Sequence, residues 1–126
     1  MAADATALTG EKGNLDFDYN GQMIHVIWLP DEYTPEREMH WVEMEPLGAG
    51  AMLVDFTYTV VEDWDLMGRY DEENNRILPS VNGETYPVKN KKALAKLPMP
   101  FLGALATAIG MSSRPKAVRS VTSEDG

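Results

Sequence analysis

The strongest constraint on the fold is an Asn20-Gly21 step between two strand-like runs. Leu15–Tyr19 alternates apolar and polar residues, and Gln22–Leu29 is rich in β-branched and aromatic residues. Asn-Gly is the typical centre of a two-residue type I′ turn, because both central residues need a positive φ. The sequence therefore predicts an antiparallel hairpin over residues 15–29.

The two-residue turn also sets the register of this hairpin. Three cross-strand pairs follow from it: Tyr19 with Gln22, Phe17 with Ile24, and Leu15 with Val26. Side chains alternate between faces along a strand, so one face is apolar and is predicted to meet the core. Its members are Leu15, Phe17, Ile24, Val26 and Trp28. On the other face, Asp16 lies opposite His25.

A peripheral helix is predicted over about residues 35–45. Thr34 suits the N-cap, Pro35 suits the first helical position, and Pro46 ends the helix. Its apolar stripe is narrow: it comprises Met39 and Val42, and the pattern leaves open whether Trp41 belongs to it.

The segment Leu47–Leu66 fits two patterns. Residues 54–60 alternate as a strand does, whereas apolar residues also recur at helical spacing: Leu53, Phe56, Val60 and Trp64. The stretch is longer than a normal strand, and a family resemblance described below favours a helix. We therefore expect a helix, although periodicity alone leaves both structures open.

The rest of the chain is predicted to be a loop followed by two helices. Met67–Lys89 is rich in turn residues and allows a small second hairpin at Asn82-Gly83. Asn90 is expected to cap a short helix over Lys91–Leu97. Pro98 and Pro100 then break the chain before a helix over Phe101–Met111, whose larger apolar residues form one stripe.

These elements predict an α+β fold in which an N-terminal β-hairpin packs on a small helical body. We expect a disordered lead-in at residues 1–14, a single domain at 15–111 and a flexible polar tail at 112–126.

Charge and composition argue against several kinds of protein. The net charge is −9, and residues 1–87 hold 18 of the 20 carboxylates but only 4 of the 11 Lys and Arg residues. Such a body repels nucleic acid, so no nucleic-acid partner is expected. The apolar runs fall short of the roughly 20 residues that cross a bilayer, and no signal peptide is visible. We expect a cytoplasmic protein without a membrane partner.

Catalytic chemistry is not expected either. The chain has no cysteine and only two histidines, His25 and His40. Asp16 and His25 form a possible base and orienting group, but no Ser or Thr is placed predictably beside them. No spacing suits a metal, and Leu47–Ala51 lacks the remaining residues of a phosphate loop. The sequence predicts no cofactor, no metal and no enzyme.

Methionine is abundant, with eight residues spread along the chain. Thioethers fill gaps in cores and also form adaptable binding surfaces. We assign about half of the methionines to the core. Met99 and Met111, which flank the last helix, are the best candidates for a partner surface.

Four segments together resemble the tail assembly chaperones of long-tailed, siphovirus-like bacteriophages. They are Tyr19-Asn-Gly-Gln-Met-Ile-His-Val26, Leu29-Pro-Asp-Glu-Tyr-Thr-Pro-Glu36, Val60-Val-Glu-Asp-Trp-Asp-Leu66, and the Leu94–Leu105 block with its Leu-Pro-Met-Pro-Phe-Leu helix start. The resemblance covers about residues 18–111. The chain departs from the family in a longer segment at residues 67–89 and in a middle segment richer in Thr, Tyr and Val.

The resemblance implies a non-enzymatic assembly factor that acts in the host cytoplasm and is absent from the mature virion. Such a chaperone binds the tape measure protein, keeps it soluble and promotes polymerisation of the tail tube protein. A frameshifted longer form of the chain and a homo-oligomer are further possible partners. The alternatives are a structural tail or head–tail component retained in the virion, and a small enzyme that uses Asp16 and His25.

Six apolar residues are predicted to form or border the groove that binds the client. They are Trp64, Leu66, Phe101, Leu102, Leu105 and Ile109. The small residues beside them in the last helix would allow a client helix to approach closely. The alternative is that these side chains belong to the core.

Overall fold

A computed structural model of the chain describes residues 4–113 and confirms the predicted α+β fold. Within this range the strands are β1 (Gly13–Tyr19), β2 (Gln22–Trp28), β3 (Val61–Trp64), β4 (Arg69–Asp71) and β5 (Arg76–Leu78). The helices are α1 (Pro35–Met44), α2 (Ala49–Val60), α3 (Lys91–Leu94) and α4 (Met99–Ser112). Strands β1, β2 and β3 form one antiparallel sheet, and β4 and β5 form a separate hairpin.

The N-terminal hairpin has the predicted turn and register. Asn20 and Gly21 have φ angles of 53° and 82°, as a type I′ turn requires. The predicted pairs are all present, and Asp16 lies opposite His25. On the predicted apolar face, Phe17 and three residues of β2 are buried, and Leu15 packs partly buried against them.

The ambiguous middle segment contains both kinds of structure. Residues Ala49–Val60 form α2, as expected, but the chain then turns into β3, and Trp64 lies on this strand. Strand β3 pairs with the edge of β2 that β1 leaves open, with a register shift at Ile27 and Trp28. The helix therefore ends where backbone groups gain a strand partner, an interaction that local periodicity does not reveal.

Helix α4 packs against the sheet through one aromatic ring at its start. The ring centroid of Phe101 lies 5.7 Å from Phe17, 5.3 Å from Tyr19 and 6.1 Å from Trp64. Because these rings come from β1, β3 and α4, the contact joins the sheet to the helical layer. Edge-to-face and tilted pairs of this kind stabilise a core beyond the area that they bury.

Helix α1 is attached to the helical layer by a single large side chain. Trp41 is buried, its ring lies 4.8 Å from Phe56 of α2, and its Nε1–H donates to Asp55 Oδ2 at 2.8 Å. Met39 and Val42, which we expected on the buried stripe, are exposed. The indole, as the largest apolar group of the helix, sets which face turns inward.

Three other predictions change in detail. The small hairpin is β4–β5, and its turn precedes Asn82-Gly83 in the chain. Asp71 stabilises this earlier turn because its carboxylate accepts hydrogen bonds from the backbone N–H groups of Glu73 and Asn74. Asn82 and Gly83 form a turn of their own, with φ angles of 62° and 74°. The helix capped by Asn90 ends at Leu94.

The lead-in also differs from the expectation. Ala5–Leu8 forms a 3-10 turn capped by Asp4, Gly10 N–H donates to Asp31 Oδ2 at 2.8 Å, and β1 already begins at Gly13. Residues 1–3 of the predicted lead-in and 114–126 of the predicted tail lie outside the described part of the chain.

A glycine is required at the start of β1. Gly13 is paired with Trp28, and a Cβ atom at Gly13 would overlap the indole Nε1. We expect Gly13→Ala to displace the indole and lower the free energy of unfolding by about 1–3 kcal/mol, as overpacking does. Urea unfolding measures this loss.

Gly103→Ala is the matched control for this prediction. A Cβ atom at Gly103 meets nothing within 4 Å, and the residue lies inside α4. Alanine there should raise the free energy of unfolding by about 0.5–1 kcal/mol. Equal stability of the Gly13→Ala variant and the natural chain would contradict the close approach of Trp28.

Candidate partner-binding surface

The six residues predicted to form a groove do not form an exposed surface. Trp64 is only 4% exposed, and its Nε1–H donates to the backbone oxygen of Tyr86 at 2.7 Å. Phe101, Leu102, Leu105 and Ile109 are buried, and Leu66 is partly buried against the core. Five of the six side chains therefore belong to the core, as the alternative allowed, and their part in binding a client stays a prediction.

These side chains of α4 are buried because their spacing places them on one face of the helix. Leu102, Leu105 and Ile109 follow the i, i+3, i+7 spacing of a stripe that faces a neighbouring element. In the fold the neighbouring elements are α2 and β1 of the same chain. The remaining positions of this helix are mostly small residues, so these larger side chains fill the space beneath the sheet.

Apolar surface remains where the four helices meet. A cleft of about 340 Å³ lies where α1 ends, α2 begins and α3 leads into α4. We call it the methionine cleft and define it by its apolar lining: Met44, Gly50, Ala51, Val54, Leu97, Met99 and the predicted groove residue Leu102. Met99 is 47% exposed, and its sulfur lies 3.4 Å from the position of a Cβ atom at Gly50. The cleft is open to solvent and is lined largely by apolar atoms.

The methionines as a group are on the surface. Among residues 4–113, five of the seven methionines are exposed, and the other two, Met44 and Met52, are only partly buried against the core. The assignment of half of them to the core is therefore wrong, whereas Met99 and Met111 are exposed as expected of partner-surface candidates. Exposed thioethers are adaptable contact groups, because the side chain is unbranched and polarizable.

Asp55 lines the methionine cleft and makes a network of polar contacts. Its Oδ2 accepts from Trp41 Nε1, and its Oδ1 accepts from Lys91 Nζ at 3.1 Å. Burial by itself would raise the pKa of this carboxyl, but the two hydrogen bonds and the charges of Lys91 and His40 outweigh burial and lower the pKa. The ionised carboxylate thus ties α1, α2 and α3 together.

We expect Asp55→Ala to lower the free energy of unfolding by about 1–3 kcal/mol at neutral pH, because the buried Trp41 N–H loses its acceptor. The stability linked to the lowered pKa is present above the unfolded-state pKa near 3.8 and is lost as the pH falls through the folded value. Urea unfolding at pH 7 and below pH 4 should therefore show the difference between the two proteins shrinking in acid.

Glu73→Ala is the control, because Glu73 is exposed and makes no ion pair among residues 4–113. It should change stability little at either pH. A difference between Asp55→Ala and the natural chain that grew in acid would contradict the role given to the Asp55 carboxylate.

The segment that follows Glu84 is basic, whereas residues 1–84 are acidic. Between Glu84 and Ser113 the chain has four lysines and no carboxylate. Lys91 lines the cleft, and its ammonium lies 4.9 Å from the Tyr58 ring centroid. Lys92 and Lys96 line an adjoining cavity together with Glu72, and this cavity shares Ala95 with the cleft. The absence of carboxylates from residues 85–113 is a sequence signal that would have located this rim.

The Asp16–His25 pair does form, on the outer face of the sheet. His25 Nδ1 lies 2.8 Å from Asp16 Oδ1, and Nε2 lies 3.1 Å from Asn14 Oδ1. Both ring nitrogens are thus held by hairpin side chains in an exposed position. Within residues 4–113, no Ser or Thr hydroxyl hydrogen-bonds to this ring, so the pair has an orienting group but no nucleophile.

A larger cavity of about 580 Å³ lies beside β4 and is lined mainly by polar groups. Two of its charged groups pair, since Arg69 Nε lies 3.2 Å from Glu84 Oε1, whereas Glu72 and Glu73 line the cavity without an ion pair among residues 4–113. In the part of the chain that the structure describes, no group of three or more His, Asp or Glu side chains is arranged to hold a metal ion. The methionine cleft therefore remains the better candidate for binding a polypeptide.

No family model, curated protein or solved structure matches the chain. The helices of residues 4–113 are too short or too polar to cross a membrane.

Proposed function

We propose that this chain is a phage tail assembly chaperone that binds apolar helical segments of the tape measure protein in the methionine cleft. The observation that carries the proposal is the position of the thioethers: Met44 and Met99 border an open apolar cleft, and five of the seven described methionines are exposed. A surface of flexible apolar groups suits a client that presents many similar helical segments.

The charge of the molecule supports the same role. A net charge of −9 keeps a complex with an apolar client soluble, because like-charged complexes repel one another. In this proposal the chaperone acts in the host cytoplasm, assists assembly of the tail tube protein, performs no chemistry and leaves before the virion is complete. The identification of the tape measure protein as the client depends on the resemblance of residues 18–111 to tail assembly chaperones.

Co-expression with the tape measure protein tests the proposal. The client is recognisable as a very long helical reading frame downstream of this chain. The natural chain should raise the soluble fraction of the client and co-purify with it. Met99→Glu should reduce recovery of the complex roughly tenfold, which corresponds to about 1.4 kcal/mol of binding free energy, because it places a charge in the apolar cleft.

Met67→Glu is the matched control, because Met67 is exposed to a similar extent but lies outside the cleft. It should leave recovery unchanged. A client that is equally insoluble with and without the natural chain would overturn the proposal. Detection of the chain in purified virions would instead favour a structural component of the tail.

A further inference from the structure

Two turns of the domain have the same sequence and the same backbone conformation. Asn20-Gly21 joins β1 to β2, and Asn82-Gly83 lies in the segment between β5 and α3. The φ angles are 53° and 82° in the first turn and 62° and 74° in the second. All four residues are exposed to solvent. The two turns therefore differ in the groups that surround them and not in their own residues.

The backbone N–H of the glycine is hydrogen-bonded in the first turn only. Gly21 N–H donates to Asp18 Oδ1 at 3.0 Å, and the paired strands β1 and β2 hold the turn on both sides. Within residues 4–113, Gly83 N–H and the side-chain amide of Asn82 make no hydrogen bond. No strand ladder holds the second turn.

An unbonded glycine N–H beside an exposed asparagine side chain permits a reaction between the two residues. The glycine nitrogen attacks the asparagine Cγ, the new N–Cγ bond closes a succinimide ring, and the Cγ–Nδ2 bond breaks. The amide nitrogen takes up the proton of the glycine nitrogen and leaves as ammonia. Water then cleaves the ring at Cγ, which gives aspartate, or at the backbone carbonyl, which gives isoaspartate. Glycine favours the attack because it has no Cβ to hinder the close approach.

We propose that Asn82 is a site of spontaneous deamidation in the folded chain and that Asn20 is protected. At Asn20, the attacking nitrogen must first give up the hydrogen bond from its N–H to the Asp18 carboxylate. The negative charge of that carboxylate also opposes removal of the proton. At Asn82, no hydrogen bond to the Gly83 N–H has to be broken.

The reaction changes the second turn in two ways. Each product adds a negative charge close to Glu84, whose Oε1 accepts from Val81 N–H at 2.9 Å and lies 3.2 Å from Arg69 Nε. Isoaspartate also inserts a methylene group into the backbone between Val81 and Glu84, which disturbs the spacing of that hydrogen bond. The reaction requires only water, so the inference does not depend on the proposed function or on a partner.

Incubation of the folded chain at mildly alkaline pH, followed by peptide mapping with mass spectrometry, measures both sites. Asn82 should be converted at least about tenfold faster than Asn20, because a hydrogen bond to a charged group must break before Asn20 reacts. In guanidinium chloride the two sites should react at similar rates, because unfolding removes the bond to Asp18. This comparison separates the effect of the fold from that of the shared Asn-Gly sequence.

An Asp18→Ala variant tests the cause of the protection. It frees the N–H of the first turn and should speed conversion of Asn20 by about tenfold, while the rate at Asn82 stays the same. Asp16→Ala is the matched control, because this carboxylate lies on the same strand but bonds to His25 and not to the turn. It should leave both rates unchanged. Urea unfolding checks that both variants are folded.

Three results would overturn the inference. They are a folded chain in which Asn20 reacts as fast as Asn82, a folded chain in which neither site reacts although both react in guanidinium chloride, and an Asp18→Ala variant in which Asn20 reacts no faster. Recovery of the tape measure protein plays no part in these measurements, so this inference and the proposed function fail separately.

Discussion

Trp64→Ala should cause the largest loss of stability, about 3–5 kcal/mol. The indole is buried, contacts Phe101 with ring centroids 6.1 Å apart, and donates to the backbone oxygen of Tyr86. Its removal leaves a cavity where β3 meets α4 and an unpaired carbonyl. Since domains are typically stable by only about 5–15 kcal/mol, the variant should be largely unfolded at mild urea concentrations.

Trp64→Phe is the control, because it keeps an aromatic ring and loses the N–H donor. It should cost less than the alanine variant. If Trp64→Ala instead unfolded at the same urea concentration as the natural chain but lost client binding, Trp64 would be a contact residue and its place in the core would be contradicted.

Leu105→Ala should lower the free energy of unfolding by about 2–5 kcal/mol, as deletion of a fully buried leucine does. Met99→Ala, in the same helix but half exposed, should change it by less than about 1 kcal/mol. Both variants keep good helix formers, so the difference isolates the burial of the side chain. Chemical denaturation of the two proteins side by side measures it.

The pair also separates folding from binding. Met99→Ala should reduce the amount of client recovered while the domain stays folded. Leu105→Ala should reduce it only in proportion to the fraction of the protein that is unfolded. The opposite order of stabilities would contradict the assignment of Leu105 to the core and of Met99 to the binding surface.

The hairpin was predictable from sequence because its determinants are local. Asn20-Gly21 specifies the turn, the turn specifies the register, and alternation specifies the buried face. The start of β3 was not predictable from sequence. Helix α2 ends because the residues after it pair with β2, which lies more than thirty positions earlier in the chain. The helical spacing of apolar residues continues as far as Trp64, so it did not indicate that β2 is the partner of this segment.

The binding surface was the least predictable feature. A stripe such as Leu102, Leu105 and Ile109 shows that a helix face is covered, but whether its own chain or a partner covers it depends on tertiary packing. Methionine is equally ambiguous, since it suits cores and surfaces alike. The sequence also did not show which face of α1 is buried. Burial of the Trp41 indole sets the orientation of the helix and leaves Met39 and Val42 exposed.

The most direct measurement is methyl NMR of the methionines, with the tape measure protein or its helical segments added to the folded chain. The signals of Met44 and Met99 should shift and broaden on binding, whereas those of Met23 and Met67, on other parts of the surface, should stay in place. A complex that forms while Met44 and Met99 remain unperturbed would contradict the methionine cleft as the site of client binding.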